Sequence, residues 1–207
     1  MRDAINAISV GERSMVDVNH LGWLVDYIKA NKVDTFVEVG VAKGGVLALV
    51  AKANPNIKVI GLDSWEAMPP ITEEDDQGHK IYEGQAWSTI YDVYATFESV
   101  GAPVDNLELI KGFCEETIPQ NICWLNNIDI LRLDVDWYKS TKFCLETLYN
   151  NVNPEGLIIV DDYNWNIGCK KAVDEFFCTL NTKPTIHEMA EYEGSNFGPI
   201  YFFKNEK

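Results

Sequence analysis

Two short stretches hold the residues best suited to chemistry. One reads LRLDVDWYKST from Leu131 to Thr141, with Asp134 and Asp136 separated by a single valine. The other, GLIIVDD, ends on Asp161 and Asp162. Carboxylates at the end of an apolar run must be paired, hydrated or bound to a cation, because an unpaired buried charge is costly. The first stretch allows three readings: a metal ligand with a catalytic partner, the D-x-D of a sugar-nucleotide transferase, or acids favoured at a helix start. The second pair alone would also suit a turn. If the two strands are neighbours, Asp134, Asp161 and Asp162 converge, and like charges that close repel or take up protons. A hard divalent cation relieves this with oxygen ligands at about 2.1 Å; Mg²⁺ is the first choice and Mn²⁺ is acceptable. If its strand persists that far, Asp136 lies on the same face, about 6.6 Å along, and reaches a bound substrate without ligating the ion.

The elements that must place these acids follow from periodicity. MVDVNHLGWLVDYIKAN has helical spacing and makes a leading helix within residues 1–32. Buried strands are expected at DTFVEVG, IKVIGLD, NLELIKG, IDILRLDVD and EGLIIVDD, and helices at VAKGGVLALVAKAN, AWSTIYDVYATFESVG, ETIPQNICWLN, STKFCLETLYNNV and GCKKAVDEFFCTL. Ser140 or Thr141 is the expected N-cap of the helix after the D-x-D. Residues 64–95 begin with a long loop rich in proline, glycine and acids, expected to act as a lid. PTIHEMAE and PIYFFKN suggest two closing antiparallel strands. The alternation predicts one α/β domain over residues 1–207, with a mostly parallel sheet covered on both faces.

In such sheets ligands bind beyond the carboxyl ends of the strands. All five expected parallel strands end on glycine or acid: Glu38-Val39-Gly40, Asp63-Ser64, Gly112-Phe113, Asp134-Val135-Asp136 and Asp161-Asp162. The turn EVGVAKGGV is spaced G-x-x-x-G-G through Gly40, Gly44 and Gly45, which lets a ligand approach the backbone and places an anionic group at a helix N-terminus. This is not the dinucleotide spacing, so a pyrophosphate is not the natural ligand. Asp63 ends the second strand, where a carboxylate can accept both hydroxyls of a ribose. A nucleoside lacking a pyrophosphate fits, and S-adenosylmethionine, with its cationic sulfonium, suits an acidic pocket. Trp65, Trp137 and Trp165 each follow a strand-end acid and would suit the apolar face of a sugar or simple packing.

Composition narrows the classes further. A net charge of −15 opposes nucleic acid and acidic membranes as partners. No apolar run is long enough to span a bilayer, and MRDAINAISVGERS lacks a signal peptide's apolar stretch, so a cytoplasmic location is expected. Five scattered cysteines without a CxxC read as reduced thiols. The three histidines carry little: His20 is read as structural or surface, His79 as a solvated loop residue, and His187 lies near the C-terminal strands. Neither a zinc site nor a hydrolase triad has support. A homo-oligomer is compatible with the sequence.

The blocks FVEVGVAKGG, VIGLDSWEAMP, LIKGFCEETIP, LRLDVDWYKST and GLIIVDDYNWNIGCKKAVDEFF, in this order between about residues 36 and 177, resemble the macrocin O-methyltransferase (TylF-like) family. The resemblance implies the class I methyltransferase fold and Mg²⁺-dependent methylation of sugar hydroxyls on natural products. It implies that Glu38, Gly40, Asp63 and Ser64 hold the cofactor with Gly112-Phe113 beside the adenine, and that Asp134, Asp161 and Asp162 bind the metal. Asp136 takes the place of the base proposed in some members. Others use a histidine two residues after the paired aspartates, where this chain has Asn164. Catechol-type relatives carry a lysine where this chain has Trp137, which speaks against a catechol. The expected reaction is O-methylation of a sugar hydroxyl, on a deoxyhexose such as rhamnose, free or carried on a glycan or a glycosylated small molecule. A glycosyltransferase and a non-catalytic sugar- or cofactor-binding module are the alternatives.

Overall fold

A computed structural model describes residues 1–10, 13–188 and 198–205. The chain runs α1 (Arg2–Val10), α2 (Val18–Ala30), β1 (Thr35–Val39), α3 (Gly45–Ala53), β2 (Lys58–Asp63), α4 (Ile90–Val100), β3 (Leu107–Lys111), α5 (Cys114–Asn121), β4 (Ile128–Leu133), α6 (Tyr138–Leu148), β5 (Val152–Val160), α7 (Ile167–Thr179), β6 (His187–Glu188) and β7 (Ile200–Phe203). The sheet order is β3-β2-β1-β4-β5-β7-β6. β1 to β5 are parallel, while β7 runs antiparallel to both β5 and β6. The two closing strands thus form as expected, although the end of the first lies outside the described residues.

Strand alternation divides the core between the faces. Phe36, Val59, Ile130, Leu157 and Ile159 pack under the first four helices. Their neighbours Val37, Ile60, Leu131, Ile158 and Val160 face the last three. Both faces are buried, so these strands read as continuous apolar runs. Among the described residues no helix is long and apolar enough to cross a membrane.

Chain order reverses between β1 and β4, which opens a crevice at their carboxyl ends. Backbone pairing continues one residue past the strands there. Gly40 donates to Leu62, Asp134 to Val39, Asp161 to Leu133 and Gly112 to Asp63, at 2.8–3.0 Å. The strand-end residues singled out by sequence therefore lie side by side along one edge.

Three local expectations change. α1 forms ahead of the anticipated leading helix, whose own start is set by Asp17 accepting from Asn19 N–H. The helix sought from Ala86 begins at Ile90, where Thr89 and Asp92 make a capping box. Neither Ser140 nor Thr141 caps α6: the helix starts at Tyr138, and its cap Trp137 offers no side-chain bond.

Candidate active site

A cavity of about 280 Å³ opens at this edge, and its wall includes Gly40, Asp63, Ser64, Gly112 and Phe113. Gly40 has φ +86°, and a Cβ there would lie 1.7 Å from the Asp134 carbonyl oxygen. The first turn is thus closed by direct backbone contact with the end of β4. Gly40→Ala should destabilise the fold by on the order of 4 kcal/mol, since strain and clash coincide. A thermal melt within about 2 °C of wild type would contradict this.

Asp63 Oδ2 accepts from Val41 N–H and Ala42 N–H at 2.7 and 2.9 Å, while Oδ1 accepts from Trp65 N–H at 2.7 Å. It holds the glycine turn against the loop after β2 and keeps one lone pair, on Oδ1, for a ligand hydroxyl. Two residues assigned to the cofactor lie away from the cavity wall. Gly44, at φ +76°, caps α3 against Val93. Glu38 is 1% exposed and turned into the protein.

What Glu38 meets there is Arg132, a residue the sequence reading passed over. Glu38 and Arg132 are register partners on β1 and β4, so their side chains leave the sheet on one face. The guanidinium Nη1 donates to Glu38 Oε1 at 2.7 Å and to Asp134 Oδ2 at 2.8 Å, and Nη2 donates to Asp161 Oδ1 at 2.5 Å. Burial opposes the charge of Arg132, but Asp161, Asp134 and Glu38 together hold it well above its ordinary pKa. Burial pushes Glu38 up to about 8 and Asp134 to about 6, with Arg132 pulling both the other way.

The pairing of β4 with β5 brings Asp134, Asp161 and Asp162 together, with one carboxylate oxygen of each within 4.8 Å of the others. Asp162 is raised well above the carboxylate range by burial and then by Asp136, Asp134 and Asp161. Asp134, Asp161 and Glu38 thus share one buried arginine, and Asp162 adds a further acid beside them. An all-oxygen donor set with this acid excess fits a hard divalent cation. His20, read as structural or surface, is buried with Nδ1 3.9 Å from Asp161 Oδ1. Burial and Arg132 lower it to about 3, so it stays neutral and adds no cation.

β4 does not persist to Asp136. It ends at Leu133, and Asp136 adopts φ +57° in a tight turn closed by Trp137 N–H on the Val135 carbonyl at 2.5 Å. A non-glycine residue in this region stores on the order of 1–3 kcal/mol of strain. Asp136 N–H donates to Asp162 Oδ2 at 3.1 Å, which ties the turn to β5. Asp136 is one of the residues that line the cavity. Burial pushes its carboxyl up to about 8, with Asp134 and Asp161 adding to the rise.

Residues 64–89 form one side of the cavity. Their base is closed by an Ala67–Ala86 bridge, and a 3₁₀ turn occupies Gln77–Tyr82. Trp65, Trp137 and Trp165 all reach the cavity wall, joined by Tyr82 and Trp87. His79 is no solvated loop residue: its ring stacks on Trp165 at 4.4 Å and 13°, and its Nδ1 is buried. The prolines, glycines and acids of the loop gave no pattern that would have placed it. Asn164 donates to the Gly198 carbonyl rather than meeting the acids.

Comparison with known proteins fits this geometry. The Macrocin-O-methyltransferase (TylF) family pattern matches residues 5–191. A Streptomyces olivaceus 8-demethyl-8-(2,3-dimethoxy-alpha-L-rhamnosyl)-tetracenomycin-C 4'-O-methyltransferase is 29% identical over 170 residues, which cover 77% of this chain and 64% of that protein. Demethyldecarbamoylnovobiocin O-methyltransferase of Streptomyces niveus is 28% identical over 161 residues, covering 73% of this chain and 61% of that protein. The chain thus spans less than two thirds of either relative. The solved O-methyltransferase NovP shares the fold, with a TM-score of 0.79 at 23% identity over 94% of this chain and 83% of its own. With the family pattern covering most of its length, the chain belongs to the macrocin O-methyltransferase (TylF) family.

Proposed function

We propose that the chain transfers a methyl group from S-adenosylmethionine to a hydroxyl of a sugar, a deoxyhexose such as rhamnose carried on a small molecule. The observation that carries this is one cavity shared by the glycine turn, Asp63 and the Asp134–Asp136 turn. The similarity to a rhamnosyl-tetracenomycin 4'-O-methyltransferase supports the acceptor class. Gly40, Asp63 and Ser64 hold the adenosine side, with Gly112-Phe113 beside the base. Asp136 accepts the proton of the acceptor hydroxyl as the hydroxyl oxygen attacks the sulfonium methyl, and the S–CH₃ bond breaks to release S-adenosylhomocysteine. Asp134, Asp161 and Asp162 are the ligands for Mg²⁺ (Mn²⁺ in its place), and Arg132 holds two of them in position. A bound divalent ion supplies orientation and acidification of neighbouring acceptor hydroxyls.

Charge narrows the acceptor. The described lining residues include Asp63, Glu66, Glu115, Asp134 and Asp136 but no lysine or arginine. Before any ion binds, that wall favours a sulfonium cation and a neutral sugar over a sugar nucleotide's phosphates. The test is a methyl-transfer screen over neutral glycosides and nucleotide sugars, with and without Mg²⁺, read by mass. Methylation of no hydroxylated acceptor would sink the proposal.

The ion has a readout besides turnover. Asp134 and Asp136, raised to about 6 and about 8, keep protons in the folded state that the unfolded chain releases near pH 4. The folded state then binds more protons, so this contribution to stability falls as pH rises from about 4 to about 8. A divalent cation takes the place of those protons. Added MgCl₂ should therefore raise the melting temperature little near pH 5 and much more near pH 8. Equal gains at both would remove the ion from this cluster.

A further inference from the structure

Asp75 lies far from the acid cluster in sequence, in the middle of the 64–89 segment, and yet it is only 2% exposed. A charged side chain buried that completely needs partners. Its Oδ2 accepts from Thr72 N–H and Oγ1 at 2.8 and 2.9 Å, which shapes its own loop. Its Oδ1 accepts from Tyr138 N–H at 2.8 Å, across to the first residue of α6. α6 is the helix whose cap, Trp137, has no side-chain bond of its own. A carboxylate from the loop thus supplies the missing cap, and it does so two residues after Asp136.

The same oxygen is fitted to a second helix. At Gly168, in the first turn of α7, a Cβ would lie 1.9 Å from Asp75 Oδ1. That position is open so that the carboxylate can sit down between the starts of α6 and α7. Gln77 Nε2 donates to the Asp75 and Thr72 carbonyls, and Lys171 of α7 pairs with Glu74 at 3.7 Å. The segment is therefore seated on the two helices that follow the acidic strand ends.

We propose that Asp75 is a positioning residue: through Tyr138 N–H it couples the seating of the 64–89 segment over the cavity to the left-handed turn that aims Asp136. With the segment seated, Tyr138 is held and the 134–137 turn is clamped between that bond and the Asp136–Asp162 bond. With the segment lifted, the turn is free to relax and the carboxylate loses its aim. This rests on Asp136 acting on the acceptor, but the coupling is measurable without it.

Three variants separate the coupling from simple loss of structure. Asp75→Ala removes the acceptor oxygens, Gly168→Ala expels the carboxylate while leaving it in the chain, and Asp75→Asn leaves one acceptor oxygen to serve either Thr72 or Tyr138, with an NH₂ facing the other. Asp75→Ala and Gly168→Ala should each lower kcat about 10- to 100-fold, the scale of a misplaced catalytic group, with S-adenosylmethionine affinity unchanged. The Tyr138 amide should lose hydrogen-exchange protection in both. In Asp75→Asn the two readouts should move together, with kcat within about threefold of wild type if the Tyr138 amide stays protected and lowered as in Asp75→Ala if it does not. Wild-type kcat in Gly168→Ala with an exposed Tyr138 amide would overturn the proposal. So would undiminished Tyr138 protection in Asp75→Ala. Full turnover in Asp136→Asn beside lost turnover in Asp75→Ala would displace the base and leave the latch standing.

Discussion

Asp136→Asn should lose about 10²- to 10⁴-fold in kcat, the usual contribution of a positioned general base, with S-adenosylmethionine binding within about twofold of wild type. The substitution is nearly isosteric, and its structural side is well controlled. Asparagine is among the few non-glycine residues that tolerate positive φ, so the turn at +57° is kept. The bond to Asp162 comes from the Asp136 backbone N–H and survives the change. What disappears is a carboxylate that burial and its acidic neighbours raise to about 8, so that its ionised form is a stronger base than an ordinary aspartate. Single-turnover rates and calorimetric affinity for S-adenosylmethionine separate the two effects. An unchanged rate would mean that the proton leaves by another route.

Arg132→Leu should destabilise the protein by about 3–5 kcal/mol, because removing one partner of a buried ion pair strands the others. At this chain length that lowers the melting temperature by roughly 10 °C. Arg132 is 1% exposed and bonds three carboxylates from three different strand ends. Without it, Glu38, Asp134 and Asp161 must take up protons or repel one another. Arg132→Lys should recover only part, because an ammonium is a point charge and cannot span the fork that serves Glu38, Asp134 and Asp161 together. Mg²⁺ should restore more stability to Arg132→Leu than it adds to wild type, since it supplies charge to the same acids. A melting temperature within about 2 °C of wild type would show that the cluster is not held by this arginine.

The sheet and the order of its acidic ends were legible because each rests on a local pattern. Apolar runs such as FVEV and LIIV fit only buried strands here, and the strand ends follow from them. The meeting of Asp134 with Asp161 and Asp162 needed one further fact, that β4 and β5 are adjacent, which no residue pattern states. Arg132 was within reach: it sits two residues before Asp134 in IDILRLD, on the same face by alternation, and a basic residue inside so apolar a run needs acidic partners. The turn at Asp136 was hidden, because the strand's end there depends on the Asp162 contact and on the cap of α6. His79 and Asp75 were hidden for the same reason. Their surroundings come from the starts of later helices and the turns that precede them, and a loop without periodicity gives no sign of where it lands.

The crowding of aromatic rings around the cavity has a practical side. Four of the chain's six tryptophans, Trp65, Trp87, Trp137 and Trp165, line it. The other two lie elsewhere, Trp23 stacked on Tyr27 and Trp124 under Lys58. Most of the protein's intrinsic fluorescence therefore originates at the place where ligands would bind. Occupancy of the cavity can be followed in the unlabelled molecule, and replacing Trp23 and Trp124 by phenylalanine would leave a tryptophan emission that comes from residues lining that cavity alone.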